Sequence, residues 1–300
     1  MKILRFHDDR VGVLKGGNAV IDISDLITHR EIRGPQGTMD ELIGNFATYR
    51  PKIENLIARG SGQPLTGVKL LPPLPRPSRV LAAFVNYIDK PDRTPDSLPM
   101  EFFHKAPELV GPEGTINLPN IEPIVEFHAE AELAFVIGRH CKNVSAADAM
   151  SRVFGYMPFF DISARGMTRR SQFLPKGQDT FGPAGPWITT ADEIGDPHDI
   201  MVKSWVNGEA RQNYSTKHMA HKIPAQIAWV SRFIQLQPGD VLATGTYHEG
   251  LGPVNVGDTI EIEVEGCGRA RFFFKGDSPR KATGFQPGQQ GRPAPLTKVS

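Results

Sequence analysis

The sequence predicts a β-rich α+β fold. Three features carry the prediction. Glycine (30) and proline (26) are abundant, so the 300-residue chain is cut by many turns. From Val80 onward, apolar residues alternate with period two or run in short blocks bounded by Gly and Gly-Asp turns. Helical periodicity is confined to a few stretches, with few long helical periods after Val80.

Residues 1–70 read as a small N-terminal α+β unit. MKILRFH and VGVLKGGNAVIDI supply short strands, the last two joined through Gly16-Gly17. TMDELIGNFATYRPKIENLIARG is helical. Thr38 followed by Glu41 fits a capping box, and Pro51 is expected to kink or split the helix. The proline-rich stretch LPPLPRPS falls in 71–79 and reads as a stiff linker to a larger body over 80–276. Within that body SAADAMSRVF starts a short helix, with Ser145 and Asp148 at its head. A second helix, PAQIAWVSRFI, follows Ile223. LQPGDVLATGT and VGDTIEIEVEGCGRARFFF are strands entered through Gly-Asp turns. Residues 277–300, rich in Pro, Gly, Gln and basic residues, read as a loose tail.

Composition excludes several classes. A net charge of +1 gives no field for nucleic acid and no polybasic surface for lipid. The longest purely apolar runs, such as Val80–Val85 and Leu133–Ile137, are far too short to span a membrane, and MKILRFHDD has no signal core. Two cysteines, Cys141 and Cys267, without a C-x-x-C argue against a disulfide framework or a structural zinc site. The expectation is a reduced, cytoplasmic, globular protein.

The chemistry starts at EFHAEAELAFVIG, residues 126–138. Side chains alternate faces along a strand, so His128, Glu130, Glu132, Ala134 and Val136 share one face. Acids two apart are usually a solvated face, and TIEIEVEG at 259–266 reads that way, with three acids alternating with three apolar residues. In the first stretch the acid face continues as Ala134 and Val136 instead. The strand runs into a core with two carboxylates at its mouth. Such a pair raises each other's pKa or demands a cation, and an all-oxygen site suits a hard divalent ion such as Mg²⁺ better than zinc. Asp161, at the end of the apolar run FGYMPFF, could complete a three-carboxylate site; its plain alternative is a turn or cap residue.

Eight segments in order now carry a resemblance. They are N-Y at 86–87, FFHKAPELVGP at 102–112, EAELAFVIG at 130–138, FFDISARG at 159–166, KGQDTFGPAGPWI at 176–188, VNGEARQ at 206–212, PGDVLATGT at 238–246 and VGDTIEIEVEGCG at 256–268. Over about residues 80–275 the sequence resembles the fumarylacetoacetate hydrolase family. The resemblance implies that family's mixed β-sandwich roll, with the small N-terminal α+β domain beside it. It implies a divalent metal, Mg²⁺ or Mn²⁺, on Glu130, Glu132 and Asp161. It also implies that Arg165, Lys176 and Thr246 lie around a bound 2-oxo acid, and that the protein is a homodimer. The chemistry agrees: a metal is a Lewis acid for a 2-oxo acid, and an ammonium such as Lys176 can stabilise developing enolate charge. The plain alternatives are surface ion pairing for Arg165 and Lys176, and a strand-turn role for Thr246.

The resemblance also fails in places. Many members follow N-Y with A-D-H and, three residues on, a Glu; that His–Glu pair activates water. Here Lys90 and Arg93 stand at those positions. A family glutamine three after the arginine is Thr168, the stretch from Asp161 to Lys176 is short, and the usual G-T-P-A-G loop is GTYHEG. His248 is therefore the candidate substitute base, with the plain alternative of an exposed loop histidine; Lys90 and His104 are weaker candidates.

Together these observations predict a metal-dependent hydrolase cleaving a carbon–carbon bond in a 2,4-dioxo acid, as in the catabolism of aromatic or sugar acids. The catalytic residues are Lys176 and His248, and the substrate is a small 2-oxo or 2,4-dioxo acid. The alternatives are a tautomerase, isomerase or decarboxylase working through the same enolate, or a non-catalytic metal-binding relative. A two-carboxylate glycosidase fits poorly, because Glu130 and Glu132 share one strand face. Residues 88–101, with three prolines, are expected to form a lid.

Overall fold

The computed structural model describes residues 1–167 and 171–279. Strands β1 (Lys2–Phe6), β2 (Arg10–Lys15) and β3 (Ala19–Asp22) form an antiparallel meander. Gly16 and Gly17 both take positive φ (59° and 80°) in the turn before β3, a conformation that costs glycine little.

Helices α1 (Arg30–Gly44) and α2 (Phe46–Arg59) follow, and two expectations are corrected there. The backbone breaks at Gly34 (φ 66°) and the helix restarts at Pro35, whose fixed φ suits a first helical position. Thr38 therefore lies inside the helix, and its hydroxyl donates to the Gly34 carbonyl at 2.7 Å, so the capping box with Glu41 does not form. The split expected at Pro51 lies instead at Asn45 (φ −113°, ψ 22°), and α2 runs on through Pro51.

Strands β4 (Gln63–Pro64) and β5 (Leu70–Leu71) lead into the proline-rich stretch. That stretch is not a free spacer. β5 pairs with β1, Leu74 is fully buried, and the carbonyls of Pro72 and Pro75 accept from Arg5 and the Leu109 amide.

The rest of the chain comprises β6 (Val80–Phe84), β7 (Glu101–His104), β8 (Thr115–Leu118) and β9 (Glu126–Ile137). Then come α3 (Ala146–Ala149), β10 (Val153–Arg165), α4 (Phe173–Lys176) and β11 (Ile188–Thr190). After these lie β12 (Met201–Val206), β13 (Glu209–Ser215), α5 (Ile223–Phe233) and β14 (Val241–Ala243). The last strands are β15 (Pro253–Val254), β16 (Thr259–Val264) and β17 (Gly268–Gly276). Ser145 caps α3 by accepting from the Asp148 amide, and α5 begins at Ile223, both as expected. Of the expected tail, residues 280–300 lie outside the described residues, as does Thr168.

Among the described residues the strands form two sheets. The larger runs β4-β3-β2-β1-β11-β10-β9-β14-β6-β7, and the smaller runs β13-β12-β16-β17-β8. Because β1 pairs with β11, one sheet continues from the N-terminal meander into the body. The centre of the larger sheet is the long antiparallel pair β9–β10, buried on both faces. One face of β9 (Phe127, Ala131, Leu133, Phe135) packs in a core with Val202, Ile260 and Phe272 of the smaller sheet. Its other face continues as Ala134 and Val136 into a second core with Ile3, Val13 and Met39 of the N-terminal part. In contrast, β16 buries Ile260, Ile262 and Val264 and leaves Glu261 and Glu263 to pair with Arg269 at the surface. Among the described residues no helix is long and apolar enough to cross a membrane.

Candidate active site

The register of β9 on β10 sets Glu130 directly opposite Asp161, and directly opposed residues of an antiparallel pair share a face. Glu132 is the next residue on that face. Carboxylate oxygens of Glu130, Glu132 and Asp161 all lie within 4.8 Å of one another, and all three residues are buried. On its other edge β9 pairs with β14, and the chain leaving β14 stays alongside it. There the Thr244 amide donates to the Leu133 carbonyl at 3.0 Å, and the Gly245 amide donates to Glu132 Oε2 at 2.8 Å. Gly245 has φ +87°, and a Cβ on it would meet the Cβ of Asn86 at 3.1 Å, so glycine suits that approach.

Three cations enclose the carboxylates. Lys176, at the end of α4, donates to Glu130 Oε2 at 2.7 Å and also to Asp161. Lys105, just past β7, is buried and donates to Asp161 and to the Ile162 carbonyl at 3.0 Å. Arg165, at the end of β10, donates to Glu130. Formal charge thus balances at three against three, but unevenly. Burial pushes Glu130 up, but Lys176 and Arg165 outweigh it and hold its carboxyl well below the usual range. Burial and the neighbouring charges of Asp161 and Glu130 push Glu132 well above it. For Lys176 burial is outweighed by Asp161 and Glu130, and its ammonium is strengthened; for Lys105 burial wins and its pKa is lowered.

This donor set fits a hard divalent cation. The carboxylate oxygens converge, and among the described residues no lysine or arginine is bonded to Glu132, unlike Glu130 and Asp161. A carboxylate has about four acceptor sites, so the bonds from lysine and arginine leave further lone pairs on Glu130 and Asp161.

The structure thus brings Glu130, Glu132, Asp161, Arg165 and Lys176 together as the sequence suggested. Thr246 lies beside β9, buried. Its hydroxyl donates to the Ala131 carbonyl at 2.7 Å and accepts from Gln212 Nε2 at 2.8 Å, so it braces the strand that carries the two glutamates. His248 Nδ1 lies 2.5 Å from Asp89 Oδ2, whose carboxylate also pairs with Arg93. Lys90 and His104 are exposed.

Sequence reasoning missed three residues: Lys105, Asp89 and Gln212. Alternation in FFHK was the available signal for Lys105, since the neighbour of an exposed strand residue faces inward. Gln212 ties β13 to the site through Thr246, the Tyr247 carbonyl (2.6 Å) and the Ala131 amide (3.0 Å).

Comparison with known proteins agrees with this architecture. The sequence profile of the fumarylacetoacetate (FAA) hydrolase C-terminal family matches residues 79–274. The chain is 32% identical over 282 residues to maleylpyruvate hydrolase of Aquipseudomonas alcaligenes, covering 89% of this chain and 97% of that protein. It is 38% identical over 219 residues to the mitochondrial oxaloacetate tautomerase FAHD2A of Homo sapiens, covering 68% of this chain and 69% of that one. Among solved structures, maleylpyruvate hydrolase from Sphingobium sp. SYK-6, in complex with a manganese(II) ion and pyruvate, superposes with a TM-score of 0.82 at 36% identity, covering 93% of this chain and 100% of that one. The two sheets therefore have the family's fold, and this chain belongs to the fumarylacetoacetate hydrolase family.

Proposed function

We propose that this protein is a divalent-metal-dependent hydrolase that cleaves a carbon–carbon bond in a 2,4-dioxo acid of the acylpyruvate type. The observation that supports it most is the buried cluster of Glu130, Glu132 and Asp161 with Lys176 bridging two of its members. The likeness to maleylpyruvate hydrolase over nearly the full length of both chains supports the reaction class.

Glu130, Glu132 and Asp161 would hold Mg²⁺ or Mn²⁺, which supplies positive charge for the oxygens of the 2-oxo-acid end. Arg165 would bind the substrate carboxylate. His248 would take a proton from water, and the resulting hydroxide would attack the distal carbonyl carbon. The bond from that carbon to C3 then breaks, its electron pair forming the enolate of the 2-oxo acid, while the distal fragment leaves as a carboxylic acid. Lys176 would stabilise the negative charge that develops on the enolate oxygen. The setting this reading implies is a cytoplasmic homodimer in the breakdown of aromatic or sugar acids.

One observation favours a second reading, tautomerisation of a 2-oxo acid through the same enolate. Lys90 and Arg93 occupy the positions of the usual water-activating pair, and an oxaloacetate tautomerase is among the relatives. The test is turnover of a panel of 2-oxo and 2,4-dioxo acids with Mg²⁺ or Mn²⁺ and identification of the products. Equimolar pyruvate-type and carboxylic acid products support hydrolysis. Keto–enol interconversion without fragments supports the second reading.

A further inference from the structure

Water activation needs a histidine whose free nitrogen is defined, and the segment after N-Y supplies what defines it. Asp89 is buried, with its side chain 2% exposed, while the His248 side chain is 38% exposed. One carboxylate oxygen of Asp89, Oδ2, faces both the ring Nδ1 of His248 at 2.5 Å and the backbone amide of His248 at 3.3 Å. The other oxygen accepts from Arg93. An ionised carboxylate only accepts hydrogen bonds, so the Nδ1 that faces it carries the proton and Nε2 keeps the lone pair.

The contact rests on a fixed platform. Asn86 donates to the Thr244 carbonyl at 2.8 Å and to the His221 carbonyl at 3.1 Å, which ties residues 86–89 to the chain leaving β14. The Ile88 amide donates to the His218 carbonyl at 2.9 Å. Beside His248, Tyr247 stacks on Tyr214 with ring centroids 5.8 Å apart and planes 22° apart. Both strands of chain that meet at the Asp89–His248 contact are therefore held from behind.

We infer that Asp89 is the positioning residue of the base, fixing the tautomer and orientation of His248, and that Arg93 holds Asp89 in turn. The inference rests on the hydrolase reading, in which His248 is the base. Relative to the family pattern, the acid–base pair is divided between two segments. The carboxylate comes from the segment after N-Y, and the imidazole comes from the loop after β14.

The test uses the full-length protein with Mg²⁺ and a 2,4-dioxo acid that it cleaves. Wild type, His248→Ala, Asp89→Asn and the double variant are compared for kcat, KM and metal affinity. Nitrogen-15 NMR of labelled histidine, recorded at alkaline pH, reads the ring tautomer, with the His248 signal identified by its loss in His248→Ala. The wild-type ring is expected to carry its proton on Nδ1. Asp89→Asn should move the proton to Nε2 and lower kcat by roughly 10²-fold, the usual worth of a general base, with KM and metal affinity nearly unchanged. The double variant should be no slower than His248→Ala, because the two residues act as one unit.

A wild-type His248 signal with the proton on Nε2 overturns the inference, whether or not Asp89→Asn folds. So does an Asp89→Asn enzyme with normal kcat beside a crippled His248→Ala; that result leaves the hydrolase reading standing. A His248→Ala enzyme with normal kcat overturns the base assignment and the inference with it.

Discussion

Replacing Lys176 by methionine removes one of three cations from a buried cluster while keeping much of the side-chain volume. The Lys176 ammonium lies 2.7 Å from Glu130 Oε2, also bonds Asp161, and belongs to a side chain only 8% exposed. Breaking a buried ion pair by removing one partner costs about 3–5 kcal/mol, because the other charge stays behind unpaired. Arg165 still reaches Glu130 and Lys105 still reaches Asp161, so the low end applies, about 3 kcal/mol. At about 2–3 °C per kcal/mol for a chain of this size, Tm should fall by roughly 6–9 °C in a chelator. With saturating Mg²⁺ the divalent charge makes up for the lost ammonium, and the drop should shrink to less than half. Thermal unfolding of both proteins, with EDTA and with Mg²⁺, measures the two differences. Equal losses of Tm in both conditions would refute the reasoning, since they would mean that the cation does not enter the cluster.

Three further outcomes follow from the same geometry. Glu132→Ala should weaken Mg²⁺ or Mn²⁺ binding at least about tenfold by calorimetry, and an affinity equal to wild type would remove Glu132 from the site. Asp40, pushed up to about 6 by burial and by Asp240 despite its bond from Gln36, binds its proton more tightly folded than unfolded. Its contribution is therefore most favourable below the unfolded value near 3.8 and is lost as pH rises through about 6, so Asp40→Asn should gain roughly 1–3 kcal/mol over wild type at alkaline pH and nothing near pH 4; urea unfolding at several pH values reads this, and a gain independent of pH would contradict it. The segment 88–101, exposed over most of its length, should be nicked more slowly by a protease when Mn²⁺ and pyruvate are present, and equal nicking would argue against a lid.

How far the site was legible follows from how local each signal is. The two-residue period of 126–137 assigned the faces of β9 correctly because the strand is paired on both edges and cannot slip without exchanging its faces. The helix start was misplaced because Thr-x-x-Glu also occurs inside helices; Gly34-Pro35 is the stronger signal, combining a positive φ with a fixed one. Lys105 could be read locally only as facing inward, and neither its partner nor that of Asp89 could be read locally at all. Lys105 meets Asp161 from 56 residues away, and Asp89 meets His248 from 159 residues away. The β6–β7 and β6–β14 pairings help bring those segments to the cluster. Thr246 was placed at the site, but its hydroxyl is spent on the backbone of β9, a use that no motif announces.

The most direct test of the central claim is anomalous diffraction at the manganese edge from crystals grown with Mn²⁺ and pyruvate. The account predicts one strong peak among Glu130, Glu132 and Asp161, at roughly 2.0–2.4 Å from an oxygen of each, the range for oxygen ligands of such ions. A peak at any other position, with Lys176 and Lys105 still closing the three carboxylates as a dry ion-pair cluster, would contradict it.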